Sequence, residues 1–84
     1  MEQDVFRSRN LQVSAFLIAR GAKLLECERT GATRCEFLFR DPTGEVAALA
    51  DAYYKGETCK ALAYYRAQLE LRAAIDHTLN GGAR

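Results

Sequence analysis

The chain has 84 residues, 49% of them hydrophobic, with 12 basic and 11 acidic side chains and a formal charge of +1. That length fits one domain with a modest core, and the apolar content excludes a disordered chain. The near balance of charge excludes polyanion binding by bulk charge alone, though not by a local basic face.

Three cysteines (Cys27, Cys35, Cys59) with no Cys-x-x-Cys pair do not make a disulfide scaffold. The start Met1-Glu2-Gln3-Asp4 is acidic where a signal peptide would be basic, and no apolar run approaches the ~18 residues of a membrane span. The chain therefore reads as a reduced, cytoplasmic single domain over residues 1–84, with an ordered core at about 5–80 and no membrane contact. Residues 1–4 are polar and expected to fray.

Val5-Phe6-Arg7-Ser8 fits a very short strand. Ser8 or Asn10 can cap a following helix, since each offers a side-chain oxygen to an otherwise orphan N–H. Apolar residues cover most of the circumference of Leu11 to Arg20, which predicts a largely buried helix, and Gly21 fits its left-handed stop. Residues 22–29 alternate as a strand, with Lys23, Leu25 and Cys27 on one face.

A three-residue loop centred on Gly31 then leads to the central strand, Arg34-Cys35-Glu36-Phe37-Leu38-Phe39-Arg40. There Cys35, Phe37 and Phe39 point to the core and Arg34, Glu36, Leu38 and Arg40 point away. Aligning the two buried faces sets Cys27 opposite Cys35, Leu25 opposite Phe37 and Lys23 opposite Phe39. On the outer face it sets Leu24 opposite Leu38 and Glu26 opposite Glu36, a like-charge pair.

Asp41-Pro42 ends the strand. A helix near 43–55 follows, capped by Asp41 with Pro42 at its first position or begun later at Thr43, and Gly56 stops it. Its core face is Val46, Leu49, Ala50 and Tyr53. Thr58 opens the last helix, to Leu79, before Asn80-Gly81-Gly82. One stripe of that helix is Ala61, Tyr64, Gln68, Leu71, Ile75 and Leu79; a second is Leu62, Tyr65 and Leu69. The whole is an α+β fold: a small antiparallel two- or three-stranded sheet with three helices packed on one face, in the order β-α-β-β-α-α.

The stretches Phe6-Arg7-Ser8-Arg9-Asn10-Leu11, Gly21, Phe37-Leu38-Phe39-Arg40-Asp41 and Tyr53-Tyr54-Lys55-Gly56 carry a resemblance. They resemble a pattern shared by short phage, plasmid and bacterial proteins of unknown function: Phe-x-Ser/Thr-x-Asp/Asn-Leu, a helix ending in Gly, Phe-x-Phe-x-Asp, then Tyr-x-x-Gly. The resemblance covers roughly residues 5–75. It implies an accessory protein of mobile-element origin and brings no catalytic residues with it.

Catalytic and metal chemistry find little support. His77 is the single histidine, and its neighbours Asp76 and Thr78 point to other faces of the helix. One histidine and three scattered cysteines give no ligand spacing, so neither a metal nor another cofactor is expected. Cys27 and Cys35 read as small buried apolar residues, with a disulfide or two-thiol site as the alternative. Cys59, in the first turn of the last helix, lacks a basic partner that would activate it. The glycines are turn and cap residues rather than a phosphate loop.

A non-enzymatic binding module is the expectation. Its leading version is a nucleic-acid-associated accessory protein of a phage or mobile element, using Arg34 and Arg40 on the sheet's outer face around Leu38. The alternative is a protein-protein adaptor or inhibitor acting through the last helix. The candidate surface comprises Arg34, Leu38, Arg40, Tyr54, Tyr64, Tyr65, Arg66 and Arg72. Apolar surface in excess of what one small sheet can cover also points to a homodimer, through the second helical stripe or a Leu24/Leu38 patch.

Overall fold

The alternation at residues 35–40 produces the middle strand of a three-stranded antiparallel sheet ordered β1-β3-β2 in the computed structural model, which describes residues 4–79. The strands are β1 (Val5–Ser8), β2 (Leu24–Arg29) and β3 (Cys35–Arg40), and the helices are α1 (Leu11–Ala19), α2 (Glu45–Tyr54) and α3 (Ala61–Leu79). The order β-α-β-β-α-α is the one the hydrophobic periodicities predict. Phe37 and Phe39 project from β3 into a core completed by Val13, Ala15 and Leu17 of α1, Val46 and Ala50 of α2, and Ala67 and Leu71 of α3. The helix stop at Asn80-Gly81-Gly82 and the terminal residues 1–3 and 83–84 lie outside the described residues. Asp4 is held, since its carbonyl accepts the Asp41 N–H at 2.8 Å.

Local chemistry sets the helix ends. The Asn10 side chain accepts the Val13 N–H at 3.0 Å and caps α1. Ser8 does a different job: buried on β1, its Oγ receives the Ser14 hydroxyl at 2.9 Å, which clips strand to helix. At the other end of α1, Gly21 has φ 102°. Its N–H reaches the Ile18 carbonyl at 3.0 Å, and the Ala22 N–H reaches that of Leu17 at 2.9 Å. This is the paired bonding of a Schellman stop. Asp41 caps α2 from a distance, its two carboxylate oxygens accepting the Val46 N–H at 2.9 Å and the Ala47 N–H at 3.2 Å. Because that carboxylate reaches over the intervening residues, α2 begins at Glu45, and Pro42 sits in the connection rather than at the first helical position.

Three expectations change. First, the hairpin register is shifted by two: Cys27 faces Phe37, Arg29 faces Cys35 and Glu28 faces Glu36. A shift of two keeps every side chain on its face, so alternation cannot detect it. In the observed register Arg7 of β1 bridges the like-charge pair, its Nη1 lying 3.1 Å from Glu28 and 2.9 Å from Glu36. Those two carboxylates, Glu36 first, hold the Arg7 guanidinium above its ordinary pKa. Second, a bulge at Leu25 turns that side chain outward and brings Leu24, not Lys23, opposite Phe39 on the core side. Third, α3 starts at Ala61 rather than Thr58: the Lys60 carbonyl accepts the Tyr64 N–H at 3.0 Å, while the Thr58 carbonyl accepts from Arg20 Nη1 at 3.2 Å. Cys59 therefore precedes the helix instead of lying in its first turn.

Candidate protein-contact surface

Residues 61–79 are rich in Ala and Leu, which are strong helix formers. At about 100° per residue they sort into two opposed faces. Tyr64, Ala67, Leu71 and Ile75 pack into the core. The small Ala67 permits close approach, and Leu71 is 0% exposed. The second stripe is left open to solvent: Leu62 is 59%, Tyr65 57% and Leu69 50% exposed. Arg66 and Ala73, both exposed, fall within the same stripe, and Arg72 borders it. Ala73 was not among the expected surface residues, although its spacing of four from Leu69 signals it. Thr78 anchors the end of α3, its hydroxyl donating to the Cys27 carbonyl on β2 at 3.2 Å.

The eight candidate residues do not form one surface. Tyr65, Arg66 and Arg72 share the outer side of α3. Tyr54 is 70% exposed on α2, edge-on to Tyr53 with ring centroids 5.3 Å apart. Tyr64 turns inward, half-buried, and burial pushes its phenol above the usual tyrosine range. Arg34 stands at the hairpin end just before β3, and Arg40 ends that strand. Neither has a carboxylate within ion-pair distance among the described residues. Leu38, between them, is only 7% exposed and is no contact residue. Arg7 and Glu26 flank it in register on the two neighbouring strands, and the apolar stem of an arginine can lie over such a neighbour. A Leu24/Leu38 patch does not exist, because Leu24 faces the core and Leu38 is covered.

The sheet's outer face is mixed in charge, with Arg7 and Arg40 set among Glu26, Glu28 and Glu36. Arg9 adds a further contact, its Nε 3.4 Å from Glu36. Three carboxylates on so small a sheet oppose a phosphate backbone laid across it.

Cys27 and Cys35 occupy diagonal positions on the core side of β2 and β3, both half-buried as free thiols. Burial first, and then a hydrogen bond with Cys27, push the Cys35 thiol above its ordinary range. The unfolded chain therefore loses this proton before the folded one does, and native stability falls as pH rises through the thiol range. At about pH 8.5, where a free thiol is half ionised, Cys35 is expected to alkylate more slowly in the folded chain than in urea. Iodoacetamide labelling read by peptide mass spectrometry checks this, and equal rates would contradict it. His77 is exposed, and among the described residues no group of three or more His, Cys, Asp or Glu could hold a metal ion. No described helix is long and apolar enough to cross a membrane.

Comparison of the chain with protein-family models, with curated proteins and with solved structures finds no match.

Proposed function

We propose that this protein is a non-catalytic binding module that works by protein-protein contact through the outer stripe of α3. One observation carries the reading: Leu62, Tyr65 and Leu69 stand half or more exposed on the side of α3 opposite its core face. Helix propensity alone does not ask for large apolar side chains in water, whereas a helix-mediated interface uses such anchors at i, i+3 and i+7. The phage and plasmid resemblance of the sequence fits an adaptor or inhibitor of this size. The simplest partner is a second copy of the chain, since a stripe on one helix can meet itself across a twofold axis.

Sedimentation equilibrium over a wide concentration range tests the homodimer. A mass rising above 9.4 kDa, and restored to 9.4 kDa by Tyr65→Glu with Leu69→Glu at the melting temperature of the dilute, monomeric parent, is the expected result. A constant 9.4 kDa removes the second copy as partner. A photo-crosslinking residue at Leu62 in cells then tests an outside partner, and adducts that survive Leu69→Glu would remove the stripe itself.

A nucleic-acid-associated role is the second reading, favoured by Arg66 and Arg72 beside the stripe and by Arg34 and Arg40, which have no carboxylate partner among the described residues. It requires binding of labelled oligonucleotides that weakens steeply between low and moderate salt. Absence of binding at low salt would remove it.

A further inference from the structure

A cleft of about 470 Å³ opens between the start of α1, the tip of the β2–β3 hairpin and the last turns of α3. Its volume falls in the range of small-molecule pockets, roughly 300–1,000 Å³. Leu11 and Ile75, with the nearly buried Phe37 behind them, give it an apolar wall, the exposed Arg9 and Arg34 line its mouth, and among the described residues no acidic side chain lines it. The hairpin tip that forms one wall is braced by Arg29, whose Nε donates to the Gly31 carbonyl at 2.9 Å and whose Nη2 donates to that of Ala32 at 3.2 Å.

Three features of this cleft favour negative charge at its mouth. Arg34 has no carboxylate partner among the described residues. Arg9 contacts Glu36 through Nε only, so both of its terminal amino groups remain for a ligand. Leu11 is the first residue of α1, and the first turn of that nine-residue helix carries no acidic side chain to offset its positive end. Behind the charge the wall is hydrocarbon at Leu11, Phe37 and Ile75, and Thr30, Thr33 and Cys35 complete it. A bare inorganic anion would leave that wall wet, and a neutral apolar molecule would leave the Arg34 guanidinium without a counter-charge.

We propose that this cleft binds a small amphipathic monoanion, with its carboxylate held between Arg9 and Arg34 and its short apolar body against Leu11, Phe37 and Ile75. The site is separate from the outer stripe of α3, because Ile75 belongs to that helix's core face. Arg–carboxylate pairing supplies orientation, and burial of the apolar body supplies most of the affinity.

Octanoate is the probe, followed by methyl NMR of Leu11 and Ile75 in the full chain. Saturable shifts of both residues below the concentration at which octanoate self-associates are expected. 1-Octanol, which keeps the body without the charge, and acetate, which keeps the charge without the body, are each expected to bind at least about tenfold more weakly. Arg34→Gln, at an exposed position, is expected to weaken octanoate by about tenfold with no change in melting temperature. Leu69→Glu is expected to leave the shifts unchanged. Octanol binding as tightly as octanoate, an Arg34→Gln variant binding normally, or shifts lost in Leu69→Glu would each overturn the assignment, as would the absence of saturable shifts.

Discussion

Replacing Phe37 with alanine is expected to cost about 3–5 kcal/mol of stability. The ring is 2% exposed, projects from the middle strand and sits in the core cluster with residues of all three helices. Truncation removes both its transfer free energy and its contacts, and the two-layer packing around it has little freedom to collapse. A domain of this length has only a few kcal/mol to lose, so the variant should be largely unfolded at 37 °C. A urea melt with unchanged slope reads the effect directly, and a loss under 1 kcal/mol would mean that the ring is not a core element.

The second large effect is expected at Leu71. Leu71→Ala should cost about 2–5 kcal/mol, because this 0% exposed side chain seats α3 in the core. Leu69→Ala, two positions earlier and 50% exposed, should fall within about 0.5 kcal/mol of the parent at protein concentrations where the chain is monomeric. The contrast is the informative quantity, because helix propensity changes equally in the two variants and cancels between them. Similar losses at both positions would show that the outer stripe is buried in the protein as it exists in solution, as a tight homodimer would require. Repeating the Leu69→Ala melt at several protein concentrations separates that outcome from a misassigned face.

These effects rest on features that differ in how far the sequence reveals them. Alternation at Phe37 and Phe39 identifies the central strand because the signal is local and its period belongs to strands alone. The Gly21 stop is legible for the same reason. The hairpin register is not, since two alignments two residues apart bury the same faces. Arg7, which bridges the glutamate pair of the observed alignment, lies more than twenty residues away in sequence. The two stripes of α3 are also legible as stripes. Which of them meets the core follows from the fit of Ala67 and Leu71 against the layer beneath, and periodicity does not carry that information. Leu38 misleads because its polar neighbours in sequence mark an outer face, while the residues that flank it in register come from other strands. The cleft draws on residues 9–11, 30–37 and 75, and no single stretch announces it.

The pairing of β1 with β3, rather than with the nearer β2, bears on how the chain emerges during synthesis. Val5–Ser8 is made first, but its hydrogen-bonding partner Phe37–Arg40 follows about thirty residues later. At about 5–20 residues per second, a ribosome leaves that strand edge open for seconds. Throughout this interval α1, with Val13, Phe16 and Leu17 destined for burial, also lacks the sheet face it covers. The first third of the nascent polypeptide thus carries apolar surface that waits for later residues to cover it. Slow decoding between residues 20 and 35 would prolong that exposure, and general chaperones have their clearest purchase there.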